Sequence, residues 1–137
     1  MGTRTRLNEY LSENSTKIFD IGLHDCLTFT NGAWRVMYGH GFADAVIGKY
    51  KTKGRRGMAQ LCKDTYGHFN IIKALDENLQ RVDGFPPRGS LVISNDIRRG
   101  LFDHAFGISN GTNSFFVADR GLTIIQTDQI NGAWANE

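Results

Sequence analysis

Residues 25–30 read DCLTFT, and this stretch marks the point where a polar loop gives way to an amphipathic helix. From Cys26 to Tyr38 the apolar side chains recur three and four residues apart, which is the spacing of one helix face. Asp25 is a residue type that caps helix N-termini, and Gly39 is a type that ends helices. The sequence therefore predicts a helix over Cys26–Tyr38, buried on one side, with a cysteine as its first residue.

Helical patterns also occur on both sides of this segment. Thr5–Asn14 carries leucine and tyrosine side chains on one edge, and Arg56–Tyr66 has a similar periodicity, so both are predicted to be helices. Phe42–Ile47 has the pattern of a short apolar turn or helix, and the pattern of Ile71–Leu75 leaves its type open. The first part of the chain is therefore predicted to be helical.

Strand signals begin after the turn PPRGS at residues 86–90. Asn110-Gly111 lies between two alternating apolar segments, which is the strongest short hairpin signal. The region around Ala133 and Trp134 either pairs in the sheet or packs against it. The predicted strands, rich in β-branched and aromatic residues, are Leu91–Ser94, His104–Ser109, Ser114–Ala118 and Gly121–Gln126.

Helices followed by an antiparallel meander predict an α+β domain in which the sheet covers one side of the helix that begins at Cys26. A chain of 137 residues with 40% hydrophobic residues has the apolar mass for one core, whereas two domains would each be too small. The prediction is a single domain over residues 1–137. It has an N-terminal helix and lead-in at residues 1–18, a helical half at 19–85 and a β half at 86–137.

Charge and cysteine content exclude several classes of function. Sixteen basic and fourteen acidic residues leave a net charge of +2, too small an excess to imply a nucleic-acid partner. Basic residues cluster in KYKTKGRR at residues 49–56, as either a solvated loop or a contact for a polyanion or wall polymer. Cys26 and Cys62 alone predict neither a disulfide framework nor a four-ligand metal site. No cofactor and no metal are therefore expected.

The N-terminus MGTRTR leads into a polar helix, so no signal peptide is predicted, and no apolar run reaches membrane-spanning length. Synthesis in a cytoplasm is the default expectation. Cys62 has apolar helical neighbours and is predicted to be a core residue. Cys26, by contrast, opens a helix, where the positive end of the helix dipole favours the thiolate, and we therefore expect a lowered pKa.

The order of these elements resembles that of the papain-like NlpC-type cell-wall peptidases, over about Phe19 to Trp134. The resemblance lies in Asp25-Cys26, in RGSLV at residues 88–92 in place of GDLV, and in HAFGI at residues 104–108 in place of HVGI. FDIGLHDC at residues 19–26, followed by GKY at 48–50, is similar to a phage and prophage branch whose members are often encoded among tail genes. The resemblance implies a papain-like fold and a phage virion or host-cytoplasm location.

The resemblance also implies roles for individual residues. Cys26 would be the nucleophile and supply an oxyanion donor through its backbone N–H, with His104 as its base. Asp25 either shapes the oxyanion region or serves only as a helix cap. Asp119 is the nearest candidate to hold the imidazole of His104, although it also suits the turn that it begins, because the returning strand FFVA at residues 115–118 offers no polar side chain. His24, His40 and His68 are expected to be solvated loop histidines.

Two functions follow from the resemblance. The first is a cysteine hydrolase that cleaves an amide bond, expected in a peptidoglycan stem peptide, with the peptide as its partner. The second is a non-catalytic phage virion or tail-assembly protein that keeps the fold as a binding module and binds other tail or virion proteins. The apolar strand at residues 115–118 and Leu27-Thr28, where many relatives have Ser-Gly, favour the second.

Overall fold

The computed structural model describes residues 2–97, 101 and 104–136, and it confirms an α+β architecture. Within these ranges, no helix has the length and apolar character needed to cross a lipid bilayer. The described helices are α1 (Thr3–Asn14), α2 (Cys26–Tyr38), α3 (Arg55–Tyr66) and α4 (Ile71–Asn78). The described strands are β1 (Gln80–Arg81), β2 (Leu91–Ser94), β3 (Ala105–Ser109), β4 (Asn113–Val117), β5 (Leu122–Gln126) and β6 (Gly132–Ala135).

The strands form one antiparallel sheet in the order β1-β6-β2-β3-β4-β5. Strands β2 to β5 are the predicted meander. β6 then returns to the opposite side of β2, where Leu91 pairs with Trp134 and Val92 with Ala133. The region around Trp134 therefore pairs within the sheet, between β1 and β2.

Helix α2 packs against both α1 and β3, and its buried apolar side chains belong to the larger core. Phe29 and Trp34 of α2 are both almost completely buried, and β3 contributes Phe106 and Ile108 to the same core. Because side chains alternate along a strand, Ala105 points to the opposite face, where it belongs to a second cluster. The helix face of β3 is therefore the face of its even-numbered residues.

The opposite face of the sheet is covered by the connection from β5 to β6. Ile130 packs on the cluster of Val92, Ala105, Phe116 and Ala133. The buried Thr127 hydroxyl lies 3.0 Å from that of Ser114 and 3.4 Å from that of Ser109. This connection supplies the second layer that lets all four residues of β2 be buried.

The structure resolves two segments that the sequence leaves open and shifts the position of one predicted turn. Ile71–Asn78 is a helix because Asn70 caps it, accepting hydrogen bonds from the N–H groups of Ile72 and Lys73. Residues 42–47 form turns rather than a helix. In the hairpin, Asn110 N–H donates to Asn113 O at 2.8 Å, so the two loop residues are Gly111, with φ of +111°, and Thr112. The turn thus lies one residue later than Asn110-Gly111.

Three strand ends and one helix end meet at the same edge of the sheet. Ser94 at the end of β2 pairs with Ala105 at the start of β3, and β4 ends beside them at Val117. Helix α2 begins at this edge, since the Cys26 sulfur accepts a hydrogen bond from the Phe106 N–H. The first residue of α2 is therefore placed over the beginning of β3.

Gly107, at the centre of β3, provides a test of this packing. A Cβ atom there would lie 2.6 Å from the Phe116 ring and 2.7 Å from the carbonyl oxygen of Phe115, so the aromatic ring covers the glycine. We expect Gly107→Ala to lower the free energy of unfolding by about 1–3 kcal/mol, as overpacking does. Urea titration followed by circular dichroism measures this change.

The matched control is Gly84→Ala, because a Cβ atom at Gly84 meets nothing within 4 Å. This control is expected to change the free energy of unfolding by less than about 0.5 kcal/mol. Equal stability of the two variants would contradict the close packing of Phe116 on Gly107.

Candidate active site

Helix α2 begins at Cys26 because the carboxylate of Asp25 caps it. The Asp25 Oδ1 atom accepts hydrogen bonds from the N–H groups of Leu27 at 2.9 Å and Thr28 at 2.8 Å. In return, the Thr28 hydroxyl accepts the Asp25 N–H at 2.7 Å, which completes a capping box. Of the two roles considered for Asp25, the helix cap is therefore observed, whereas a catalytic contribution stays a prediction.

The Asp25 carboxylate is fully buried and has further partners. Its Oδ2 atom accepts the N–H of Gly22 at 2.7 Å, and the hydroxyl of Tyr50 donates to both carboxylate oxygens, at 2.9 and 2.7 Å. Tyr50 was part of the sequence resemblance, but no role was predicted for it. Its position as an uncharged aromatic residue between Lys49 and Lys51 is the signal that it is buried while its neighbours are exposed.

The sulfur of Cys26 is almost completely buried, with 1% of the residue exposed. Burial raises the pKa of the Cys26 thiol from its ordinary value of 9.0 to about 12, and the charge of Asp25 adds to this rise. Backbone N–H groups of Phe106, Leu101 and Cys26 itself act in the opposite direction. The expected lowering of this pKa by the helix N-terminus is therefore wrong, because desolvation of the thiolate outweighs the helix end.

His104 lies immediately before β3 and is tied to Leu101. The Leu101 N–H donates to the His104 carbonyl at 2.8 Å, and the His104 N–H donates to the Leu101 carbonyl at 3.1 Å. Because Phe106 and Ile108 face α2, strand alternation places the side chain of His104 on the same face. The structure thus brings Cys26 together with the backbone segment that carries His104.

Asp119 lies in the turn between β4 and β5 and is exposed. Its carbonyl accepts the Phe19 N–H at 2.9 Å, and Ala118 N–H donates to Gly121 O at 3.1 Å across the turn. The β3–β4 ladder ends with the pair Gly107–Phe116, and the same register continued for three residues would set Asp119 opposite His104. The turn role is observed, and the orienting role stays a prediction.

The other histidines differ in their surroundings. His24 is buried rather than solvated, with 8% exposure, and its Nε2 atom has no hydrogen-bond partner among the described residues. Burial, followed by the charge of Lys17, lowers the pKa of His24. The Nε2 atom of His68 is hydrogen-bonded to the Glu77 carboxylate on the surface, in contacts separate from those of Cys26.

Across residues 2–97, 101 and 104–136, no group of three or more histidine, cysteine, aspartate and glutamate side chains has the arrangement of a metal site. The buried acidic, thiol and hydroxyl groups of the site are instead hydrogen-bonded to one another and to backbone N–H groups.

The raised pKa of Cys26 predicts a loss of stability at alkaline pH. The unfolded thiol releases its proton above the ordinary value of 9.0, whereas the folded thiol keeps it up to about 12, so its contribution to stability is present below pH 9.0 and is lost as the pH rises. Cys26→Ala should therefore reduce the fall of the unfolding free energy in this range by up to about 1.4 kcal/mol per pH unit. Urea titrations at several pH values measure the slope.

Cys62→Ala provides a comparison, because burial raises the pKa of that thiol as well, but by less than for Cys26. Its effect on the alkaline slope should accordingly be smaller. Identical slopes for the wild type and Cys26→Ala would show that the Cys26 thiol ionises equally easily in the folded and unfolded chains.

Comparison with known proteins gives a family but no function. Neither a curated protein nor a solved structure matches the chain. The sequence profile of one family, described as a domain of unknown function (DUF6950), matches residues 2–136. Because this match covers nearly the whole chain, the protein belongs to the DUF6950 family.

Proposed function

We propose that the protein is a cysteine hydrolase of the papain-like NlpC type that cleaves an amide bond, with peptidoglycan stem peptides as its substrates. The observation that carries the proposal is the position of Cys26. It opens a buried helix, and its sulfur contacts the backbone at Leu101 and Phe106, on either side of His104. A thiol on a helix N-terminus facing a histidine-bearing strand is the arrangement that nucleophilic thiol catalysis requires.

The raised pKa of Cys26 defines what the base must do. Without a base, the Cys26 thiol keeps its proton at neutral pH, since burial raises its pKa to about 12. His104 therefore takes this proton as the sulfur attacks the carbonyl carbon of the amide, and the new C–S bond forms together with an imidazolium. Cys26 can therefore stay protonated until the substrate is attacked, because the thiol loses its proton to His104 during the attack rather than before it.

The remaining steps use the same groups. The negative charge that develops on the carbonyl oxygen is stabilised by the Cys26 N–H at the positive end of α2. When the C–N bond breaks, the imidazolium of His104 donates its proton to the leaving amine, and a thioester remains. Water then attacks the thioester with His104 as base, releasing the carboxylic acid and restoring the thiol of Cys26.

Asp119 is proposed as the group that orients His104. Its position in the strand register supports this role, since three further residues of the same ladder would set it opposite His104. If the alternation of β4 continued beyond Val117, residue 119 would lie on the face of Phe115 and Val117, whose side chains belong to the larger core. Both carboxylate and imidazole would then lie on the side of the sheet that carries Cys26.

The substrate class and the location come from the sequence resemblance. The phage and prophage branch, which FDIGLHDC at residues 19–26 and GKY at residues 48–50 resemble, suggests a phage-encoded enzyme. Such an enzyme would reach cell-wall peptides from a virion or from the host cytoplasm. The proposed partners are therefore the peptide substrate and, in a virion, other tail proteins.

A second function, a non-catalytic tail or virion protein with the same fold, is favoured by one observation. The nucleophile candidate is 1% exposed, so a substrate carbonyl cannot reach the Cys26 sulfur without movement of the groups above it. A binding module needs no such access. The two functions predict opposite results in a digestion assay.

Purified peptidoglycan should release stem-peptide fragments when incubated with the protein, detected by mass spectrometry. Cys26→Ala and His104→Ala should abolish release, because one removes the nucleophile and the other its base. Asp119→Ala should slow release by about 10²- to 10⁴-fold, the range expected for loss of a group that orients the catalytic base.

Cys62→Ala is the matched control, since Cys62 is also a buried cysteine but belongs to α3. It should digest peptidoglycan at the wild-type rate. If the wild type releases no fragments, the hydrolase proposal fails and the binding module is favoured. Release that persists in Cys26→Ala would assign the activity to other residues.

A further inference from the structure

We propose that Tyr50 is a positioning residue that keeps the negative charge of Asp25 from suppressing ionisation of the Cys26 thiol. The hydrogen bonds between Tyr50 and Asp25 support this role. The Tyr50 hydroxyl donates to both oxygens of the Asp25 carboxylate, at 2.9 and 2.7 Å, and this carboxylate immediately precedes the cysteine. The inference rests on the proposed function only for its catalytic consequence, because thiol reactivity is measured without any substrate.

Tyr50 comes from a different part of the chain than the backbone donors to Asp25. The N–H groups of Gly22, Leu27 and Thr28 all come from the segment that contains Asp25 itself. Among the described residues, Tyr50 supplies a hydroxyl from a separate loop, 25 positions along the chain. It therefore links the loop after α2 to the first turn of α2.

The burial of this pair makes the hydrogen bond strong. Asp25 and Tyr50 are both 0% exposed, so the pair is shielded from bulk solvent. A hydrogen bond to a charged group is shorter and stronger than a neutral one, and a buried charge that loses a donor is destabilised further. Loss of the Tyr50 hydroxyl leaves more uncompensated negative charge beside the sulfur.

Among the described residues, the titratable groups near Cys26 include Asp25 in its own segment, Tyr50, His24 two residues earlier and His104 on the facing strand segment. Of these, Asp25 opposes formation of the thiolate, as its charge raises the pKa of Cys26. The Tyr50 dipole points at that carboxylate and weakens its effect at the sulfur. The basic run at residues 49–56 thus contains one buried residue that serves the site.

The test compares alkylation of Cys26 by iodoacetamide in the wild type and in Tyr50→Phe, over a range of pH values below the thiol pKa. For equal accessibility of the buried Cys26 sulfur in the two proteins, the rate in this range is proportional to the thiolate fraction. We expect Tyr50→Phe to slow modification of Cys26 by about three- to tenfold at each pH, corresponding to a pKa rise of roughly half to one unit. Digestion and mass spectrometry follow the Cys26 and Cys62 peptides separately.

Two controls separate positioning from loss of structure. Tyr38→Phe also removes a tyrosine hydroxyl, one that donates to the Gly89 carbonyl at the far end of α2, and it should leave the Cys26 rate unchanged. Cys62, buried in α3, reports global opening within the same sample. Parallel changes at Cys26 and Cys62, or an unchanged Cys26 rate in a folded Tyr50→Phe variant, would overturn the inference.

Asp25→Asn tests the same idea if Tyr50→Phe does not fold. The amide keeps an oxygen for the helix cap but removes the charge, so Cys26 should be alkylated about three- to tenfold faster than in the wild type. In the double variant, Tyr50→Phe should cause no further slowing. An Asp25→Asn rate equal to or below that of the wild type would show that the carboxylate does not control the thiol.

Peptidoglycan digestion distinguishes failure of this inference from failure of the proposed hydrolase. If Tyr50→Phe slows alkylation of Cys26 but the wild type digests no peptidoglycan, the hydrolase proposal is wrong and the positioning role of Tyr50 is supported. If the wild type digests peptidoglycan but Tyr50→Phe leaves the alkylation rate unchanged, the hydrolase proposal is supported and the positioning role of Tyr50 is wrong. If both hold, Tyr50→Phe should lower kcat more than it changes KM.

Discussion

The buried carboxylate of Asp25 is the charge on which the arrangement of the site depends. A carboxylate with no exposed surface is tolerated only when hydrogen bonds replace water, and Asp25 has donors from Gly22, from the first turn of α2 and from Tyr50. Through these bonds, the Asp25 carboxylate connects the loop before α2, the first turn of α2 and the loop that carries Tyr50. The position of Cys26 is a consequence, since it is the residue that follows this carboxylate.

The elements that the sequence predicts well are those with local signals. Asp25 and Gly39 set the bounds of α2 as predicted, and the structure gives Gly39 a φ of +83°. The position of β6 depends instead on pairing between Leu91 and Trp134, which are far apart in the chain, so the sequence left open whether this region pairs. The type of the segment that forms α4 was open for a different reason, because the Asn70 side chain that caps its N-terminus was not recognised.

The candidate site shows the same division between local and tertiary effects. The helix cap of Asp25 could be predicted from residue type and position. The state of Cys26 could not, because burial under the start of β3 raises its pKa, and that burial comes from packing between distant segments. The role of Tyr50 was likewise hidden, since nothing near residue 50 identifies Asp25 as its partner. Buried polar pairs of this kind are recognised only once the fold is known.

The return of β6 between β1 and β2 has a consequence for synthesis on the ribosome. Until residues 132–135 have been made, β2 has a free edge toward β1, and Leu91, Val92 and Ile93 lack their neighbours on that side. An exposed apolar edge of this kind is a site for pairing with other chains. The nascent chain would therefore depend on rapid completion, or on a chaperone that shields this edge, to avoid aggregation while the sheet is still open.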